Sequence, residues 1–83
     1  MNDNSEFILN TGIHNGITMK FSNGNTISIQ FAKTNYSNGK TNAEVAAWDA
    51  DGEWISLGDG QGDVVGWQTT DQVADIIEKV KSL

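Results

Sequence analysis

Alternation on either side of one Asn-Gly signal leaves this 83-residue chain few ways to fold. Ile17, Met19 and Phe21 alternate with Thr18, Lys20 and Ser22; after Asn23-Gly24-Asn25, Ile27, Ile29 and Phe31 alternate with Ser28 and Gln30. A period of two flanking a turn signal specifies a β-hairpin with one apolar face. A two-residue turn at Asn23-Gly24 would set Phe21 against Thr26 and mix apolar with polar on one face. A three-residue loop, Asn23 to Asn25, pairs Phe21 with Ile27, Met19 with Ile29 and Ile17 with Phe31. Burial selects the second parity, with Asn25 expected in the left-handed conformation.

The remaining segments follow from the same signals. Phe7-Ile8-Leu9 reads as a short first strand, Thr34 to Asn42 as a polar loop, and Val64 to Gln68 as a last short strand. Ala43 to Ala50 and Glu53 to Leu57 read as a second hairpin turning at Asp51-Gly52. A two-residue turn there sets Trp48 against Ile55 and puts Trp54 on the other face, with Val45 and Ala47. Thr69 with Gln72 three residues on is a capping box, and Val73, Ile76, Ile77 and Val80 form a helical apolar stripe. The first five residues read as disordered and 6–83 as a single domain. The fold class is α+β: an antiparallel sheet of about four or five strands in hairpins, with one C-terminal helix packed on one face.

Charge layout then limits function. The net charge is −6, there is no arginine, and between Lys40 and Lys79 every charged residue is an acid. A phosphate backbone would be repelled and would find no guanidinium fork, so direct nucleic-acid binding is not expected. No apolar run approaches the ~18 residues that span a bilayer, and Met1 to Glu6 is polar and acidic, unlike a signal peptide. The expected place is the cytoplasm.

Catalysis fails on inventory. With no cysteine and one histidine, His14, in a Gly/Asn-rich loop, neither a nucleophile–base pair nor a Cys/His zinc site can be assembled. Asp49-Ala50-Asp51 begins like a calcium loop, but Trp54 and Gly60 stand where that loop needs Gly and a bidentate Glu. Gly58 to Asp63 is glycine-rich, but its aspartates and lack of lysine exclude a phosphate loop. The expectation is no enzyme, no cofactor and no metal.

Trp48, Trp54 and Trp67 fall in the acidic stretch. A large aromatic with a charged rim is the pattern of an interaction anchor. The expected partner-binding residues are Trp54 with Asp49, Asp51, Glu53, Tyr36, Glu44, Asp59 and Asp63. The expected partner is a protein with a basic surface; a homodimer through the same face would satisfy the same residues.

Three stretches carry a resemblance: Phe21 to Phe31 (FSNGNTISIQF), Asn42 to Trp54 (NAEVAAWDADGEW), and Gly66-Trp67-Gln68-Thr69 with Asp71-Gln72-Val73. Together they resemble a family of short uncharacterised bacteriophage proteins, over residues 17 to 80. The loop around Tyr36 departs from it, being shorter and without a Cys/Arg-rich stretch. The resemblance implies a non-enzymatic phage accessory protein in the host cytoplasm that binds and inhibits a host protein, such as a CRISPR-type or other anti-phage defence complex. Two alternatives stay open: an oligomeric sponge for a small nucleotide signal, and a minor structural or regulatory phage component.

Overall fold

The computed structural model describes residues 5–11, 15–32, 37–57 and 64–83. Five strands follow in chain order: β1 (Glu6–Asn10), β2 (Gly16–Lys20), β3 (Thr26–Gln30), β4 (Asn42–Trp48) and β5 (Val64–Thr69). Each pairs antiparallel with the next, so the sheet order is β1-β2-β3-β4-β5. The helix α1 (Thr70–Ser82) follows directly and lies over β3, β4 and β5. The α+β class is as the alternation and the helical stripe require. Among the described residues, no helix is long and apolar enough to cross a membrane.

The β2–β3 hairpin has the expected parity but another register. Met19 pairs with Ile27 and Ile17 with Ile29, one residue pair closer to the turn than burial alone specified. The Phe21 amide donates to the Asn25 carbonyl (2.9 Å) and the Gly24 amide to the Phe21 carbonyl (3.0 Å), so the three-residue loop is Ser22 to Gly24. Gly24, at φ 92°, takes the left-handed position expected of Asn25. Glycine does so without a Cβ penalty. Asn25 is freed for another task.

That task is at the far end of the chain. The Asn25 side-chain amide donates to the Val80 carbonyl at 3.0 Å, and the Asn23 amide donates to main-chain oxygens of Val80, Lys81 and Leu83 at 3.0–3.1 Å. The last carbonyls of a helix have no partner within it. Here the β2–β3 turn supplies donors, pinning the C-terminus of α1 to the sheet. At the other end, Thr69 and Gln72 complete the capping box, Thr69 Oγ1 accepting from the Gln72 amide (3.2 Å) and Gln72 Oε1 from the Thr69 amide (2.8 Å).

The core is the layer between α1 and the sheet. Ile27, Ile29, Ala43, Val45, Ala47, Ile76 and Val80 are buried, with Ile17, Met19, Ile55, Leu57, Val65, Val73 and Ile77 packed around them. Ile27, Val45 and Val80 are fully enclosed; burial of such a side chain stabilises by about 1.5–3 kcal/mol. Small β4 residues, Ala43 and Ala47, let the helix approach. Phe7 and Leu9 pair with Met19 and Ile17, and so share the core face of the sheet. They lie past the reach of α1 and are 78% and 74% exposed.

Candidate partner-binding site

The second turn overturns the expected arrangement of the tryptophans. The Asp49 amide donates to the Glu53 carbonyl at 2.8 Å and the Gly52 amide to the Asp49 carbonyl at 3.0 Å, making a three-residue loop of Ala50, Asp51 and Gly52. Asp49 Oδ1 accepts the amides of Asp51 (2.9 Å) and Glu53 (3.0 Å), and Gly52 sits at φ 82°. An Asp side chain closing such a turn competes well with a two-residue one. One added loop residue reverses the side-chain parity of everything after it. Trp48 therefore bridges to Trp54 instead of Ile55, and both lie on the face away from α1. Residues 53–57 form only this bridge, not the expected strand, while Ile55 and Leu57 turn into the core.

The two indoles meet edge to face, centroids 5.7 Å apart and planes at 78°. This is the favoured quadrupolar geometry. Trp48 is half-buried and Trp54 is 54% exposed. The exposure expected of Trp54 is present, but Trp48 stands beneath it as a support. Asp51 and Glu53 are exposed in the adjoining turn, Glu53 alternating with Trp54 and so on the side of Ile55, and Asp49 is partly buried with its Oδ1 committed to the turn. Glu44 is on the same face, opposite Gln30 and four residues along β4 from Trp48, roughly 13 Å away at the strand rise. Tyr36, Asp59 and Asp63, along with the readings made of the His14 loop, the Gly58–Asp63 connector and residues 1–4, lie outside the described residues.

Sequence reasoning missed a hollow of about 330 Å³ between the two turns, lined by Lys20, Thr26, Trp48, Asp49 and Gly52 among others. The signal was the matching three-residue loops, which bring Gly24 against Ala50. A larger hollow of about 350 Å³ lies elsewhere, between the start of α1 and the ends of β3 to β5, and its lining is chiefly apolar. It gathers none of the acids. Around the Trp pair, the face carries Thr18, Thr26, Ser28 and Gln30, with Thr18 and Gln30 both directed at Asn10 Oδ1 (2.9 and 3.5 Å).

Trp67 is the third exposed indole, at 57%. It lies in a bulge of β5, where Gly66 and Trp67 together oppose Glu44, and it holds φ 56°. Left-handed backbone is uncommon for a residue of this size and costs about 1–3 kcal/mol. Among the described residues no group of three His, Cys, Asp or Glu side chains is placed to hold a metal ion. Comparison of the chain with protein-family models, curated proteins and solved structures returns no match.

Proposed function

We propose that the chain is a non-enzymatic binding protein that engages a basic surface of another protein through the turn at residues 48–54. The observation that supports this is the Trp48–Trp54 pair, seated on the face α1 leaves open, with the exposed residues Asp51 and Glu53 in the adjoining turn. A partner arginine or lysine suits both halves of the site: indole faces attract a cation, and carboxylates accept its N–H groups. The net charge of −6 would draw a basic partner to the chain at long range, with the Trp turn supplying the contact. Taken with the resemblance to short phage proteins, the reading becomes an accessory protein that occupies a basic surface of a host complex, such as a defence complex, in the host cytoplasm.

The test is an affinity pull-down of the tagged chain from host lysate, followed by binding kinetics on the captured protein. Trp54→Ala is expected to weaken binding at least 30-fold, the loss typical of about 2 kcal/mol at a central anchor. Asp51→Asn with Glu53→Gln is expected to slow association and flatten its dependence on salt. Binding that ignores both changes removes the function from this surface.

A further inference from the structure

The two edges of the sheet are built differently. The β5 edge is broken: a bulge at Gly66 and Trp67 interrupts its register with β4, and Trp67 adopts left-handed backbone. Bulges are a usual means of preventing an edge from pairing with another chain. The β1 edge has none. Its register with β2 is unbroken over five residues, Glu6 to Asn10, and it carries neither proline nor lysine. Its two core-side residues, Phe7 and Leu9, are the most exposed large apolar side chains of the described residues.

We propose that β1 is a self-pairing edge: two copies of the chain join β1 to β1 antiparallel about a two-fold axis at Ile8. The strand is complementary to itself in that register. Phe7 meets Leu9 of the second copy, Ile8 meets Ile8, and Glu6, its sole charge, meets the amide side chain of Asn10. The two Glu6 carboxylates stand four residues apart along the ladder, roughly 13 Å, beyond the ~8 Å screening length of physiological salt. On this edge two chains of net charge −6 therefore meet without opposing acids, and unlike the bulged β5 edge it is regular throughout. Phe7 and Leu9 of both copies form one continuous apolar row beside Met19 and Ile17, where cross-strand aromatic–aliphatic pairs are favourable. Because the bulged β5 edge cannot repeat the contact, assembly closes at two copies: one continuous sheet flanked by two helices on the same side. A single five-residue ladder is smaller than the ~1,200 Å² of stable interfaces, so the dimer forms only at roughly tens of micromolar and above.

Sedimentation of the full chain from about 5 to 500 μM measures this directly, in a range set by that weak affinity. The wild type is expected to pass from monomer to dimer with no larger species. Ile8→Lys and Ile8→Glu each place like charges opposite one another at the axis and are expected to stay monomeric, with helical and sheet circular dichroism retained. An equimolar mixture of the two is expected to recover the dimer, because opposite charges now meet. Trp54→Ala is expected to leave the dimer unchanged, which separates this contact from the binding face. A monomer at every concentration overturns the proposal and leaves β1 for a strand of another protein. So does a dimer indifferent to Ile8→Lys, or a mixture that stays monomeric.

Discussion

A Cβ built on Gly16 would stand 2.0 Å from the Ile29 carbonyl oxygen and 2.8 Å from the Gln30 Cα. Both neighbours are β3 backbone, so relief means parting two paired strands. Gly24 is constrained twice, by φ 92° and by Ala50, whose Cβ would lie 2.9 Å from the added carbon. The two positions predict an ordered pair of effects. Gly16→Ala is expected to cost about 3 kcal/mol or more in urea unfolding, as overpacking against backbone does. Gly24→Ala is expected to cost about 1–2 kcal/mol, from a left-handed alanine and a small shift of the neighbouring turn. Equal losses would mean that β2 and β3 can separate cheaply near Gly16. Residue-level reasoning also divides the acids of the candidate site. Asp49 holds its turn together through the amides of Asp51 and Glu53, so its removal reports on folding as much as on binding. Asp51 and Glu53 are the cleaner probes.

Between residues and the whole, the elements show what periodicity can and cannot carry. The helix was legible to the residue at its start, because the capping box is a chemical pattern: Thr69 caps and Gln72 returns the bond. Thr69→Ala is expected to lower stability by about 1 kcal/mol in thermal or urea unfolding, and a Thr69→Ser chain to recover most of it. The core faces of β2 and β3 were equally legible, since alternation fixes parity. The register was not, for alternation is indifferent to a slip of two residues, and the choice lay in Gly24 rather than Asn25 taking the left-handed position. Trp48 and Trp54 show the sharper failure. Asp-Gly suggests a two-residue turn, but Asp49, two positions before it, captures two amides and draws Ala50 in as a third loop residue. Parity reverses, and two tryptophans expected on opposite faces become an edge-to-face pair. The uncovered strip at β1 escaped notice for a different reason: strand patterns report which side is apolar, not how many strands a 13-residue helix can roof.

Across the whole molecule, the sheet has three zones set apart by what lies over them. Under α1 is the packed core; beyond it on the same side are Phe7 and Leu9; behind it is the face of the Trp48–Trp54 pair. The two outer zones involve different residues, so the proposed dimerisation and the proposed partner binding are expected to vary separately. The strand order itself follows the chain, each strand beside its successor. Such a sheet can assemble by a series of local closures, which are fast. The exception is the clamp on α1, where Asn25 and Asn23 reach oxygens 55 to 60 residues away. Those closures span the largest loops, and we expect them to form late in folding. In kinetic terms, Asn25→Ala should act as a brake released rather than a nucleus lost. The variant is expected to lose about 1 kcal/mol, the worth of one hydrogen bond, because Asn23 still donates to the Val80 carbonyl; nearly all of it is expected as faster unfolding in stopped-flow measurements, with the refolding rate unchanged. On that outcome the two asparagines would set how long the folded state lasts, and the alternating hairpin how quickly it is reached.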